Sequence, residues 1–310
     1  MKVLFLVNKN SGGRETGRSV ERALKRFDEA GWPVITVRTG SPSEAERHIV
    51  SAEEQGYELL VIGGGDGSIH HLVQHLPLGK PDKPEGLPFG IIPLGSGNDF
   101  YRGIGAPLDP WAAADNIVNG TPTPIDIGLV EPIAKDGSLR SEKPIRFTNS
   151  AGIGIDSQTL ATRARAPRFL SARYELLFLF TLIWMKPVKV KIEADKWSSE
   201  QEAYWILCCN NGTIGAGMKV APEARFNDGL MDVVIVDKIP KMRFVVNLPK
   251  VFKGTHTSVK GFSVVQAQSL TIQAQPALSL AIDGDLEFKA PARVSIVPGA
   301  VRLMTKGLLS

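Results

Sequence analysis

The sequence has few cysteines and little net charge, and each shortage excludes a class of protein. Its two cysteines, Cys208 and Cys209, are adjacent, so no disulfide framework can form and a reducing compartment is indicated. The formal charge of +4 is small, whereas a nucleic-acid-binding surface needs basic residues clustered on one face. We therefore expect no nucleic-acid partner.

Long apolar runs are also missing. Five apolar residues lie between Lys2 and Asn8, fewer than the roughly 7–15 of a signal-peptide core. The most apolar later run, Leu176 to Met185, has ten residues, about half of a membrane span. These features predict a soluble, cytoplasmic protein without a targeting segment. The 310 residues, 43% of them hydrophobic, are enough for two domains.

The first 125 residues alternate between strand and helix patterns. Helix signals are the apolar spacing from Val20 to Phe27, the capping box Ser41–Glu44 with Pro42 at the first helical position, and Asp109 before Pro110. Between them, strands are predicted at 3–7, 34–37, 59–62 and 89–92, and the first of these is a buried run. The alternation predicts an α/β domain with a doubly wound parallel sheet.

After Asp126 the pattern changes to strands with few long helices. Helices are predicted around 173–184 and 242–252, and strands at 145–148, 188–193, 204–208, 231–236, 269–273 and 278–282. Six such strands favour an antiparallel β-sandwich as the second domain. We interpret the proline-rich segment 121–124 as a linker, which gives domains at 1–125 and 126–294, with 295–310 completing the first.

Polar, glycine-rich loops follow the first, third and fourth predicted strands, at 8–13, 63–68 and 93–99. Ligands of open parallel sheets bind beyond the carboxyl ends of the strands, so we expect these loops side by side at one edge. Glycines let backbone N–H groups approach phosphate oxygens. A tight turn would explain any one loop, but three at equivalent positions favour a phosphate site.

Two common nucleotide motifs are absent. The pattern G-x-G-x-x-G fails because Ser68 stands at the third glycine position, and no G-x-x-x-x-G-K-[ST] occurs. The loops instead contain Asp66 and Asp99. A carboxylate repels a phosphate unless a divalent cation lies between them, and Mg²⁺ accepts one or two carboxylates together with substrate phosphates. The loops therefore predict a magnesium nucleotide.

The motifs resemble those of a known family. The run Gly64–Ser68 resembles the G-G-D-G-[TS] loop of diacylglycerol- and sphingosine-type lipid kinases, NAD kinases and 6-phosphofructokinases. The run Pro93–Phe100 resembles the P-x-G-T-x-N-D-F block of diacylglycerol-kinase-like catalytic domains. Segments resembling the second domain of bacterial soluble lipid kinases are Asn210–Gly212, Gly215–Met218, Ala221–Pro222, Asp228–Leu230 and Asp283–Asp285. The ordered set covers essentially the whole chain.

The resemblance implies an ATP- and Mg²⁺-dependent lipid kinase that phosphorylates a lipid hydroxyl, with diacylglycerol as the first candidate acceptor and phosphatidate as the product. It implies Asp66, Asp99 and Asp126 around the catalytic Mg²⁺ through water. The nucleotide contacts that it implies are Asn8, Lys9, Asn10, Ser11, Gly12, Thr39, Gly64, Gly65, Asp66, Gly67, Ser68, Ser96 and Asn98.

Two further sets of residues are implied by the same resemblance. Asp285 corresponds to the general base for the lipid hydroxyl, with Asp283 as its competitor, and both join Asp66 in the catalytic set. A structural metal is implied at Arg225, Asp228 and Leu230.

The chain also departs from the family pattern. Asp285 replaces the usual Glu and is one methylene shorter; Asn227 replaces a common acidic residue; His71 stands where Asn or Glu is frequent. An NAD kinase remains an alternative, although its N-E pair is replaced by Asn98-Asp99. A nucleotide-binding regulator without efficient catalysis is the other, supported by the short Asp285. The lipid acceptor, ATP against GTP, and homodimerisation stay open.

Two segments combine basic and apolar residues, at 163–184 and 238–253. Such a combination suits an anionic membrane surface, which a lipid kinase must approach, at least transiently. A solvated basic face over an ordinary core helix is the equal alternative. His71 and His75, one helical turn apart, are interpreted as helix-surface or packing residues rather than a metal site. The Cys208–Cys209 pair is interpreted as buried packing rather than a redox site.

Overall fold

The computed structural model describes residues 1–9, 13–80, 85–134, 136–163, 174–215 and 217–307. The chain forms two compact units. Unit 1 contains Met1–Ile127, Phe226–Asp228 and Val297–Ser310, and unit 2 contains Gly128–Arg225 and Gly229–Ile296. The chain therefore returns twice to unit 1, and the short return at 226–228 has no counterpart in the sequence patterns.

Unit 1 is an α/β unit with a parallel sheet in the order β17–β4–β3–β1–β2. Its elements are β1 (Val3–Asn8), α1 (Gly13–Glu29), β2 (Val34–Thr39), α2 (Pro42–Ser51), β3 (Leu59–Gly64), α3 (Asp66–His75), β4 (Phe89–Pro93), α4 (Asp99–Gly103), α5 (Pro110–Val118), the first half of β5 (Thr121–Pro132) and the second half of β17 (Ala292–Thr305). Strands β3 and β4 are buried throughout, which explains their unbroken apolar runs.

The strand register aligns the carboxyl ends of the sheet. Asn8 lies opposite Thr39, Val7 opposite Gly63, and Gly64 opposite Pro93. The loops that follow β1, β3 and β4 therefore start at the same edge, as the sequence predicted.

Unit 2 is antiparallel, with the strand order β16–β15–β7–β9–β8–β14–β17 and with β12 between β9 and β13. Its strands are β6 (Ile145–Phe147), β7 (Ser150–Gly154), β8 (Val188–Ala194), β9 (Ser198–Cys209), β10 (Thr213–Ile214), β11 (Met218–Lys219), β12 (Met231–Asp237), β13 (Phe262–Ala267), β14 (Ser269–Gln275), β15 (Ser279–Ile282) and β16 (Asp285–Lys289). Its helices are α6 (Ile155–Arg163), α7 (Tyr174–Trp184), α8 (Lys241–Lys253) and a 3₁₀ turn at His256–Ser258.

The two faces of the unit 2 sheet pack into different cores. On β9, Ile206 and Cys208 belong to a core between strands, whereas Trp205, Leu207 and Cys209 pack with the helices. This alternation follows from the two-residue period of a strand. The prediction of buried packing for the adjacent cysteines is confirmed, and burial raises the pKa of both thiols.

The interpretation of 121–124 as a linker was wrong. These residues begin β5, a twelve-residue strand along which the chain passes from unit 1 into unit 2. Proline was a misleading signal here, because it is tolerated in strands where its missing N–H is not needed by a neighbour. No helix within the described residues is long and apolar enough to cross a membrane.

Candidate functional site

A pocket of about 210 Å³ opens at the carboxyl edge of the unit 1 sheet. Its floor is apolar and contains Leu6, Ile49 and Ile62. Its polar groups come from the ends of β1 and β2, from the N-cap of α2 and from the first two turns of α3: Asn8, Thr39, Ser41, Ser68 and His71. An apolar floor with a few convergent polar groups is typical of a small-molecule site.

The loops after β3 and β4 touch backbone to backbone beside this pocket. A Cβ added to Gly95 would lie 2.5 Å from the Cα of Gly65, and one added to Gly65 would lie 2.9 Å from the Cα of Gly95. Only glycine fits both positions. The G-G-D-G loop and the loop containing Asn98 and Asp99 are therefore held together by direct contact.

Asn98 closes the second loop. Its backbone is left-handed, with φ 52°, a conformation that Asn tolerates better than most residues. Its Nδ2 donates to the carbonyl of Gly95 at 2.8 Å, and its Oδ1 accepts from the Gly95 N–H at 3.1 Å. The side chain thus shapes the loop, and the neighbouring Ser96 is exposed.

Two carboxylates flank Gly97. The Phe100 N–H donates to Asp66 Oδ1 at 2.9 Å. Asp66 Oδ2 lies 3.1 Å, and Asp99 Oδ2 3.6 Å, from the point where a Cβ on Gly97 would sit. The missing side chain leaves a space between two carboxylate oxygens, and such a cradle fits a Mg²⁺ ion that keeps waters and substrate phosphate as its other ligands.

Asp126 is buried in unit 1. Its Oδ1 accepts from the Gly299 N–H at 2.8 Å, and its own N–H donates to the Phe226 carbonyl at 2.6 Å. Across the described ranges, no three His, Cys, Asp or Glu side chains form a group that could hold a metal together. Asp66 and Asp99 are brought together at Gly97, and the role of Asp126 in holding the Mg²⁺ through water stays a prediction.

The two candidate bases, Asp283 and Asp285, differ in hydrogen bonding and in exposure. The carboxylate of Asp283 accepts four hydrogen bonds, from the N–H and Oγ1 of Thr148 and from the N–H groups of Asn149 and Ser150, at 2.8–3.1 Å. Its backbone is left-handed, with φ 47°. Asp285 is exposed at the start of β16, across the turn from Ile282. Asp283 therefore stabilises the turn before β7, and Asp285 faces solvent.

Two family models match the chain. The diacylglycerol kinase catalytic domain matches residues 2–130, and the YegS C-terminal NAD kinase beta sandwich-like domain matches residues 149–305, half of the chain. The chain belongs to the diacylglycerol-kinase-like lipid kinases. The resemblance in the motifs and the two-domain fold class are confirmed.

Curated relatives of this lipid kinase extend over nearly the whole chain. A diacylglycerol kinase from Mycobacterium tuberculosis is 28% identical over 98% of this chain and 94% of its own length. A diacylglycerol kinase from Bacillus subtilis is 28% identical over 91% and 88%. A Pseudomonas aeruginosa protein named "Probable lipid kinase YegS-like" is 29% identical over 97% and 93%.

Solved structures show the same fold. A crystal structure of a Bacillus anthracis protein matches with a TM-score of 0.79 at 21% identity, over 98% of this chain and 95% of that chain. Another from that organism, named a diacylglycerol kinase, matches with a TM-score of 0.70 at 19% identity, over 98% and 96%.

The lipid kinase's expected nucleotide residues fall into three groups. Asn8, Thr39, Gly67 and Ser68 line the pocket, where Asn8 Nδ2 donates to Ser68 Oγ at 3.4 Å. The adjoining loops and strand end contribute Lys9, Gly64, Gly65, Asp66, Ser96 and Asn98. Asn10, Ser11 and Gly12 lie outside the described residues.

Sequence reasoning missed part of the pocket wall. His71 Nε2 lies 2.8 Å from the Pro42 carbonyl, to which it donates because a carbonyl only accepts. The His71 ring also contacts that of His75, with 4.8 Å between centroids. The capping box located the start of α2, but only the sheet register shows that Ser41 and Pro42 stand at the same edge as Ser68.

The expected structural-metal residues are divided between the units. Arg225 and Leu230 belong to unit 2 and Asp228 to unit 1. Arg225 and Asp228 are exposed, and Leu230 is half-buried. The structural metal therefore stays a prediction.

Sequence reasoning also gave no weight to Asp156 in α6. Burial raises the pKa of Asp156 to about 7. Its Oδ1 accepts from the Ser157 N–H at 2.7 Å, and its Oδ2 lies 3.1 Å from the point where a Cβ on Gly152 would sit. The sequence offers no signal for it, because its burial depends on how α6 packs against β7 and β9.

Proposed function

We propose that this lipid kinase transfers the γ-phosphoryl group of magnesium ATP to the free hydroxyl of diacylglycerol. The bond from the γ-phosphorus to the β–γ bridging oxygen of ATP breaks, a bond to the lipid oxygen forms, and ADP, phosphatidate and a proton result. The pocket beside the paired carboxylates of Asp66 and Asp99 carries this proposal. The names of the mycobacterial and bacillar relatives support diacylglycerol as the acceptor.

The first turn of α3 is suited to phosphate. A helix N-terminus presents backbone N–H groups and a positive dipole end, and Gly65 caps this one without a side-chain hydrogen bond. Gly67 and Ser68, in the same turn, line the pocket. In the proposal these groups bind the phosphate chain while the apolar floor receives the rest of the nucleotide.

Asp66 and Asp99 would hold the Mg²⁺ through the oxygens that flank Gly97. When bound, this ion neutralises charge on the phosphate oxygens, which is the main requirement of phosphoryl transfer. The Phe100 N–H fixes Asp66 Oδ1, so that Oδ2 keeps its place toward Gly97.

We assign the acceptor-side base to Asp285 rather than Asp283. The two oxygens of Asp283 already accept four hydrogen bonds within unit 2, so this carboxylate is engaged in holding the turn before β7. Asp285 is exposed, and its carboxylate holds no comparable set of hydrogen bonds with the described residues. In the proposal its carboxylate orients the attacking hydroxyl and accepts the proton.

The test is transfer of labelled γ-phosphate with Mg²⁺ into detergent-dispersed diacylglycerol, ceramide, sphingosine and phosphatidylglycerol, with NAD as a further acceptor. Asp66→Asn and Asp285→Asn are compared with Glu54→Gln, an exposed carboxylate of unit 1. Labelled phosphatidate that both aspartate variants lose, and the control keeps, supports the proposal. Label in NADP, or in no acceptor although nucleotide binds, contradicts it. Activity confined to Asp285→Glu would indicate a nucleotide-binding regulator.

A further inference from the structure

Helices α7 and α8 of unit 2 carry much exposed apolar surface. More than half of the large hydrophobic side chains exposed in the described residues lie on them. Trp184 is 70% exposed, Met242 70% and Val246 67%. The full set is Phe180, Ile183, Trp184, Met242, Val245, Val246 and Phe252, and we name it the α7–α8 surface.

The exposed residues form a second apolar face on each helix. Helix α8 buries Phe244 and Val251, whereas Met242 and Val246 project from the opposite side. At 100° per residue, the exposed apolar positions of α8 fall within an arc of about 120°. Helix α7 likewise buries Leu177, Phe178 and Leu182 and exposes Phe180, Ile183 and Trp184. The core of unit 2 therefore uses one face of each helix, and the exposed apolar side chains lie on another.

The two faces adjoin. The Lys241 side chain donates to the Ile183 carbonyl, which brings the end of α7 to the start of α8. The rings of Phe180 and Trp184 lie 6.4 Å apart between centroids and continue the surface along α7. One contiguous apolar patch of this kind on a protein surface marks an interaction site.

The charged residues of the segment that contains α8 are all basic. Residues 238–260 contain six Lys or Arg and no Asp or Glu. Lys238 is paired with Glu202 at 2.7 Å. Arg243, Lys250, Lys253 and Lys186 are exposed and form no salt bridge with any described residue. Arg243 and Lys250 lie beside the same edge of the apolar arc of α8, and Lys253 lies within it.

We infer that the α7–α8 surface docks onto an anionic lipid bilayer. The apolar side chains would enter the interface while the lysine and arginine side chains reach anionic head groups. The inference deepens the proposed function and rests on it, because a lipid kinase needs to reach a membrane that holds its acceptor. It extends the sequence prediction for 238–253; the arginines at 165, 168 and 173 lie outside the described residues.

A second copy of the chain fits this surface less well. In a symmetric dimer the same patch faces itself, so the basic groups around α8 would meet their own copies. Juxtaposed like charges oppose such a contact. An anionic bilayer satisfies both the apolar and the basic part of the surface.

The test is flotation of the full chain with phosphatidylcholine vesicles, with and without phosphatidylglycerol. The flotation assay contains no nucleotide and does not depend on kinase activity. Failure of the docking inference and failure of the proposed function can therefore be distinguished. Apolar variants are Ile183→Ser and Met242→Ser, and the matched control is Val50→Ser, 63% exposed on α2. The charge variant is Arg243→Glu with Lys250→Glu, and its control is Lys196→Glu at an exposed turn.

Wild type is expected to float with anionic vesicles only, and less so at high salt. The charge variant should weaken binding at least twentyfold, since each basic residue at such a surface contributes about fivefold. Brominated lipid should quench Trp184, and Trp184→Phe should remove this quenching while the protein still floats. Unaltered binding of the variants, equal binding to neutral vesicles, no binding, or a dimer that Ile183→Ser dissociates would each overturn the inference.

Discussion

At the residue scale, the space at Gly97 is the feature of the site that a single substitution can fill. A methyl group there would lie 3.1 Å from Asp66 Oδ2 and enter the gap between the two carboxylates. We expect Gly97→Ala to raise the Mg²⁺ concentration needed for half-maximal activity by about tenfold, equivalent to 1.4 kcal/mol. Gly17→Ala in α1 is the control, because nothing lies within 4 Å of its added Cβ. A Mg²⁺ titration of both variants checks this, and equal requirements would remove the carboxylate cradle from the site.

Asp283 and Asp285 should respond differently to loss of charge. Asp283→Asn keeps a residue that tolerates the left-handed backbone, but its NH₂ group would face N–H donors from residues 148–150. We expect a loss of about 2 kcal/mol in the free energy of unfolding. Asp285→Asn, at an exposed position, should change it by less than about 0.5 kcal/mol and lower activity instead. Urea unfolding of both variants checks this, and equal losses would contradict the division of roles.

Asp156 should make stability depend on pH. Its folded pKa of about 7 exceeds the ordinary value of 3.8, so between these values the folded state holds a proton that the unfolded state has released. Stability therefore falls as pH rises through this window, by about 1 kcal/mol per unit, and the full penalty is present above pH 7. Asp156→Asn should lose this slope, whereas Asp28→Asn, exposed on α1, should follow wild type. Parallel unfolding curves for wild type and Asp156→Asn from pH 4 to 8 would exclude the effect.

At the element scale, the start of α2 does two things. Ser41 caps the helix by accepting the Glu44 N–H at 3.3 Å, and it also lines the pocket. Ser41→Ala should cost about 1 kcal/mol of stability and weaken nucleotide binding. Asp109→Ala removes the corresponding cap of α5, where Oδ1 accepts from Trp111 and Ala112. Asp109→Ala should lower the free energy of unfolding by a similar amount and leave nucleotide affinity unchanged. Urea unfolding and nucleotide titration of both variants distinguish the two effects.

How far the elements could be predicted depended on how local their signals are. The buried strands of unit 1 and the caps at Ser41 and Asp109 were readable because hydrophobic period and capping chemistry lie within a few residues. The contact between Gly65 and Gly95 and the four hydrogen bonds to Asp283 were not, because each joins residues far apart in the chain. The strand at Thr121–Pro132 was missed because proline was weighed as a breaker.

At the scale of the whole molecule, unit 1 is completed by residues from the far end of the chain. Strand β17 pairs with β4 in parallel, and its residues Ala300, Val301 and Leu303 are buried in the unit 1 core. Asn116 of α5 fastens the same strand, donating to Thr305 Oγ1 at 3.1 Å. Phe226 adds a ring packed edge-on against Phe100, 5.0 Å between centroids.

A fragment ending at Ile127 would lack these residues. It would expose the edge of β4 and the apolar surface that β17 and Phe226 cover, although it contains every described side chain of the pocket. We expect the fragment to unfold without a cooperative transition. We also expect it to bind nucleotide at least about tenfold more weakly than the full chain, because a loss of about 1.4 kcal/mol in binding free energy is enough for that change. Urea unfolding and nucleotide titration, with the chain shortened only after Gly307 as control, measure both quantities. Cooperative unfolding and full affinity in the fragment would show that the first 127 residues specify the nucleotide site by themselves, and that the return of the chain serves another purpose.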